Sequence, residues 1–210
     1  VRTRLEALVA QVDSSLSAAN QAREDALPLC RRVIRLAGMA IKSVHRLEPA
    51  EAEARCEEAE GVLRQAQQAL APFAAIEHGG FLHDAEKEYV EARAVVAMVG
   101  GDDLPSAGDL AVGETAWLRG LAEAASELRR HLLDRLRHGE LARAEELFGI
   151  MEDVYDSLMQ VDYPDAVTNG LRRTLDSLRA VIERSRADLT TTVLSSRLQA
   201  AIEAAGADRV

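Results

Sequence analysis

The sequence predicts an all-α protein, a bundle of six or seven helices, and two observations carry that prediction. Ala, Leu, Glu and Arg dominate the 210 residues, and aromatics make up only 3%. The dominant residues are strong helix formers, while the β-branched and aromatic runs that fill strands are scarce. Apolar residues also recur every three or four positions along segments separated by Gly and Pro, the spacing of helices with one face turned to a core. With 48% apolar and 29% charged residues, the chain has the composition of a globular protein. Its length suits one domain spanning 1–210 with a sizeable core.

Residues 5–47 read as one or two helices, because Val33, Ile34, Ala37, Ala40, Ile41 and Val44 follow helical spacing. Pro49 opens a second helix over 51–73, standing where a missing N–H costs nothing. Gly79-Gly80 breaks the chain, and a third helix spans 81–99. Residues 100–113, with four Gly, two consecutive Asp and Pro105, form the one long loop. A fourth helix covers 114–137 and stops at Gly139, a C-terminal cap. A fifth covers 140–161. Asp162-Tyr163-Pro164-Asp165 is a turn. A long last helix occupies 171–205, with Asn169-Gly170 as a break near its start. Helices this long, with Leu-rich flanks, commonly bury a second face in an oligomer.

Bulk properties narrow the function classes. A net charge of −10 disfavours a general nucleic-acid-coating role but leaves room for a local basic patch. Cys30 and Cys56 lack the spacing of a metal or redox motif and read as core thiols. No apolar run approaches the ~20 residues of a membrane span, and the N-terminus has no signal-peptide core. The expected location is the cytoplasm. No Gly-rich phosphate loop and no nucleophile elbow is present. None of His45, His78, His83, His131 and His138 has an HExxH partner.

Chemistry therefore rests on carboxylates. On a wheel of about 100° per residue, Phe81, Ala85, Ala92, Val95, Val96 and Val99 share a face. Glu88 falls within that stripe and Glu91 at its edge. A carboxylate in such surroundings costs several kcal/mol unless it is paired or bound to a metal. Either a cation or an Arg on a neighbouring helix answers that need. In the fourth helix Trp117, Leu121, Leu128 and Leu132 form the core stripe, and Glu123 and Glu127 stack four apart on its flank. The small residues Ala116, Gly120 and Ala124 around them allow another helix or a substrate to come close. The plain alternative is a solvated acidic flank, with Glu127 paired to Arg130 or His131. Two helices each presenting a carboxylate pair can hold hard cations such as Mg²⁺ or Mn²⁺. Elsewhere Arg31, Arg35, Lys42 and Arg46 lie within about 60° of one another, with His45 beside them. That stripe suits a phosphate backbone or is simply the wet side of an amphipathic helix. It carries no aromatic residues for base stacking, so little sequence preference is expected.

Several segments, in order and spacing, resemble the translin superfamily, which includes translin and translin-associated factor X. They are Arg23-Glu24 through Ile41 to His45-Arg46, Gly80-Phe81-Leu82-His83-Asp84-Ala85-Glu86-Lys87-Glu88-Tyr89-Val90-Glu91-Ala92, and Trp117-Leu118-Arg119-Gly120-Leu121-Ala122-Glu123 leading to Ser126-Glu127-Leu128-Arg129-Arg130. Met151-Glu152-Asp153-Val154-Tyr155, Asp162-Tyr163-Pro164-Asp165-Ala166 and Gly170-Leu171-Arg172-Arg173 continue the series. The likeness runs from about residue 22 to about residue 189 and is nearest to prokaryotic, archaeal-type members.

The resemblance implies a seven-helix subunit that assembles into a closed, hollow octamer and binds single-stranded RNA and DNA. It also implies, for members like factor X, a metal-dependent endoribonuclease with acidic residues facing the chamber. Translin itself, with an incomplete acidic set, binds and assembles. The factor X-like Glu-x-x-Glu pair matches Glu88 and Glu91. The later Asp and Glu, four apart, match Glu123 and Glu127, with Glu standing at 123 where the pattern has Asp. The expectation is a cytoplasmic homo-octamer that cuts single-stranded RNA with Mg²⁺ (or Mn²⁺) held by Glu88, Glu91, Glu123 and Glu127, while Arg31, Arg35, Lys42 and Arg46 contact the nucleic acid. The rival is a translin-like scaffold that binds single strands without cutting. A third reading is a purely structural assembly whose carboxylates all form ion pairs.

Overall fold

The computed structural model describes residues 1–73 and 80–207, and among them there are eight helices and no strand. The first, α1 (Arg2–His45), is one continuous helix of 44 residues even though Pro28 lies inside it. Its buried face begins at Ala26 and continues through Cys30, Val33, Ala37, Ala40 and Val44, in steps of four and three. The same register carried back towards the N-terminus gives Leu16, Val12, Val9 and Leu5, all exposed. One stripe thus runs the whole helix, and only its second half is covered.

A three-residue turn reverses the chain into α2 (Pro49–Leu70), with Leu47 at φ 62°. Here α2 turns Ala52, Cys56, Ala59, Leu63, Ala66 and Leu70 inward. Short side chains on both helices let their axes pack closely. The expected break at Gly79 lies outside the described residues, as does His78, and Gly80 is already the first residue of α3 (Gly80–Gly100).

The long loop holds one helical turn, α4 (Ala107–Leu110). Ser106 accepts a hydrogen bond from the Asp109 N–H while Asp109 accepts one from the Ser106 N–H. Such a reciprocal cap satisfies two otherwise orphaned amides. The loop serves as a return strap. It brings the chain back so that α5 (Glu114–Arg137) runs parallel to α3: His83 meets Arg119, Lys87 and Val90 meet Gly120, and Lys87 meets Glu123. The indole N–H of Trp117 donates to the Pro105 carbonyl at 2.9 Å, pinning the strap to the helix it feeds.

Gly139, at φ 77°, ends α5 as its sequence position predicts. The next helix is α6 (Leu141–Leu158). The turn that follows contains a second single-turn helix, α7 (Asp165–Thr168). Asn169 at φ 51° and Gly170 at φ 82° then turn the chain, so the break precedes α8 (Leu171–Ala207) and α8 itself is continuous. Arg129 of α5 ties α8 down through Ser185 Oγ at 3.0 Å and Asp188 Oδ2 at 2.7 Å.

The core has two lobes. One joins α1, α2 and the start of α3 around Tyr89, Leu63 and Leu70. The other joins α1, the start of α2, α3, α5, α6 and α8 around Leu128, Leu147 and Met151. Trp117 packs against both. The outcome is that α3 is wrapped by neighbours and buries residues on nearly every side. Among the described residues no helix is long and apolar enough to cross a membrane.

Candidate metal centre

The junction of α3 and α5 is set by a glycine. A Cβ built on Gly120 would stand 2.6 Å from the Lys87 carbonyl oxygen and 2.7 Å from Val90 Cβ. Only a residue without a side chain permits this approach, and the fully buried Ala116 and Ala124 on either side keep the contact thin. The close approach brings the acidic residues of the two helices together. One carboxylate oxygen from each of Glu88, Glu91 and Glu123 lies within 4.8 Å of the others.

The burial order differs from the helical-wheel expectation. Glu91, which the wheel puts at the stripe's edge, is only 8% exposed, while the side chain of Glu88 is 29% exposed. The reason is that α3 has no single inward stripe. The face carrying Glu91 packs as deeply as the face carrying Ala85 and Ala92. Burial, with the neighbouring carboxylates Glu88 and Glu123 adding to it, pushes the Glu91 carboxyl up to about 8. Lys87 works in the opposite direction there and Glu127 in the same one.

The partner that Glu88 requires comes from its own helix. The ammonium of Lys87, a residue 7% exposed, donates to Glu88 Oε1 at 3.0 Å and to Glu123 Oε2. Burial disfavours the charged lysine, yet the hydrogen bonds to Glu123 and Glu88 outweigh it and raise its pKa above the ordinary value. A second cation stands near, Arg119 Nη2 at 3.9 Å from Glu123 Oε1.

Glu127 is arranged differently. It lies outside the tight trio and meets His45 of α1, Nε2 to Oε2, at 3.2 Å. A carboxylate only accepts, so the imidazole N–H donates. That hydrogen bond holds the Glu127 carboxyl below the usual glutamate range against the effect of burial, helped by the charges of His45 and Arg130. The His45 side chain is 3% exposed, and its other ring nitrogen has no hydrogen-bond partner. Neither Arg130 nor His131, the partners suggested by helical spacing, takes that place.

The basic stripe stays on the surface. Arg31, Arg35, Lys42 and Arg46 are all exposed, and none forms an ion pair among the described residues. It ends at Arg46, one residue past His45.

Sequence reasoning missed two members of the constellation, Lys87 and His45. Lys87 had a signal: it stands four residues before Glu91, hence on the same helical face. His45 had none, since it reaches Glu127 only because α1 and α5 both pack on α3.

The trio fits a hard divalent cation. Its donors are all carboxylate oxygens from rigid helices, and it already draws a positive group into its midst.

The chain is similar to known proteins over most of its length. No protein-family model matches it. An uncharacterized protein of Methanocaldococcus jannaschii is 31% identical over 179 residues, 84% of this chain and 79% of that protein. Among solved structures, that of AfC3PO matches with a TM-score of 0.83 and 30% identity, over 89% of this chain and 97% of AfC3PO. The AfC3PO complex with duplex RNA matches equally. Apo-NeC3PO, 20% identical, matches with a TM-score of 0.78 over 88% of this chain and 96% of its own, and shares the fold.

Proposed function

This chain belongs to the translin superfamily, and from that premise we propose that it is an RNA-binding, Mg²⁺-dependent (or Mn²⁺-dependent) endoribonuclease, acting in the cytoplasm as a hollow homo-octamer. The observation that carries the reading is the convergence of Glu88, Glu91 and Glu123 from two parallel helices. These three residues would hold the cation, and Glu127 flanks them. A divalent ion bound there supplies Lewis-acid polarisation to a phosphodiester.

The chain's own residues account for the rest. Glu127, kept ionised and oriented by His45, takes the proton from the attacking water. The water oxygen bonds to phosphorus as the bond to the leaving ribose oxygen breaks, and that oxygen takes a proton from solvent water. Arg31, Arg35, Lys42 and Arg46 hold backbone phosphates through charge, without reading bases. AfC3PO is solved with duplex RNA, so duplex substrates belong beside single-stranded RNA and DNA in any assay.

A second reading is favoured by one observation: the Lys87 ammonium already bonds two of the three carboxylates. On that reading the protein is a binding scaffold and the ion pairs are structural. End-labelled single-stranded and duplex RNA, incubated with Mg²⁺ or with EDTA, separates the two. Cleavage that requires Mg²⁺ and falls at least 100-fold in Glu127→Gln, an effect of the size general-base removal has, supports the nuclease. RNA retained intact by both proteins makes this chain a scaffold.

A further inference from the structure

We infer that Lys87 sets the cation threshold of this centre: its ammonium is a resident rival that shuts out monovalent ions and yields only to a divalent one. The inference rests on the metal-centre reading proposed above and adds a residue to it.

The geometry is specific. Lys87 is on α3, buried, and its ammonium bridges the helices by donating to Glu88 Oε1 at 3.0 Å and to Glu123 Oε2. It therefore sits between two of the three carboxylates that converge within 4.8 Å. An incoming cation and the ammonium need the same oxygens, and both cannot have them.

Charge decides which ions win. Glu88 and Glu123 with Lys87 sum to one negative charge, which Arg119, at 3.9 Å from Glu123 Oε1, offsets only in part. Replacing the ammonium by a monovalent ion leaves that sum unchanged and forfeits two charge-assisted hydrogen bonds. Replacing it by a divalent ion cancels the remaining charge in surroundings where screening by water is weak. The lysine can release these oxygens, because its four-carbon stem is flexible and its ammonium is a point charge with three rotatable donors. Without a metal, the same ammonium keeps the carboxylates from repelling one another across the α3–α5 contact.

The test measures binding, not cleavage. Mn²⁺ is titrated into the full chain without RNA, by calorimetry and by the loss of free-ion paramagnetic signal, for the natural protein and for Lys87→Met. The titrations are run in KCl and in tetramethylammonium chloride at equal ionic strength. Lys87→Met is expected to bind Mn²⁺ about ten-fold tighter or more, the size of one removed close charge. K⁺ is expected to compete in the variant and not in the natural protein. Lys87→Arg, which keeps the charge and spreads it over a fork, binds no tighter than the natural chain.

A readout without substitution accompanies these: Mn²⁺ should raise the acetylation of Lys87 by acetic anhydride, read by peptide mass. This arm stands even where Lys87→Met does not fold. If both proteins bind Mn²⁺ equally, or the variant binds it more weakly, Lys87 is no rival and the metal centre survives. If neither binds Mn²⁺, the metal centre falls and the role of Lys87 with it.

Discussion

At the scale of single residues, Glu91 makes the sharpest claim. Its carboxyl is raised from 4.5 to about 8 by burial, with Glu88 and Glu123 beside it, Lys87 opposing and Glu127 adding. A raised folded-state value means that the native protein holds a proton the unfolded chain has released. The contribution of Glu91 to stability is therefore full below about pH 4.5 and is lost progressively up to about pH 8. The metal-free Glu91→Gln variant has no such loss. It should be more stable than the natural protein by a few kcal/mol at pH 9, and equal to it near pH 4.5. Urea unfolding at both pH values checks this, and a variant of equal or lower stability at pH 9 would contradict the burial account. The same substitution should weaken Mn²⁺ binding, because one of three ligand oxygens becomes an amide.

At the scale of elements, the contact between α3 and α5 depends on Gly120. Alanine there gains about 1 kcal/mol of helix propensity but meets a backbone carbonyl, which cannot rotate away as a side chain can. Overpacking of this kind costs about 1–3 kcal/mol. Gly120→Ala should therefore lower the melting temperature by a few degrees, given about 2–4 °C per kcal/mol at this size. It should lose Mn²⁺ binding out of proportion, because parting the helices separates Glu123 from Glu88 and Glu91. The basic stripe of α1 gives a milder forecast. Arg31→Ala with Arg35→Ala should weaken RNA retention alike for all sequences and reduce the slope of log affinity against log salt by about 1–2. A change confined to particular sequences would point to base contacts instead.

These elements also mark where sequence reading stops. The six long helices were legible because periodicity and the Gly and Pro punctuation at 49, 139 and 170 are local signals. The single turns α4 and α7 were not, since one capped turn has no period. The chain carries the acidic pairs openly at 88, 91, 123 and 127. It does not carry the depth of Glu91 or the contact of His45, because both come from helices meeting across dozens of residues. A wheel assumes one inward face, and α3 has several.

At the scale of the whole molecule, the ends of the two longest helices are uncovered. Leu5, Val9, Val12 and Leu16 of α1 are exposed, as are Leu194, Leu198 and Ile202 of α8. Apolar side chains in register on a long helix are covered when copies associate. Val12→Lys with Leu16→Lys should reduce the mass seen by light scattering, with helical circular dichroism unchanged. An unaltered mass would send the search for the interface elsewhere. Pro28 adds a consequence of its own. It offers no N–H to the carbonyl four residues earlier, and it stands two residues beyond the first buried side chain of α1, Ala26. Fraying that starts at the N-terminus thus meets a missing rung just where tertiary burial begins. Amide hydrogens before residue 28 should exchange with deuterium fast in an isolated subunit, and those after it slowly. Any protection that appears ahead of Pro28 is then owed to another copy lying on the stripe, so the exchange map of this one helix is a gauge of assembly.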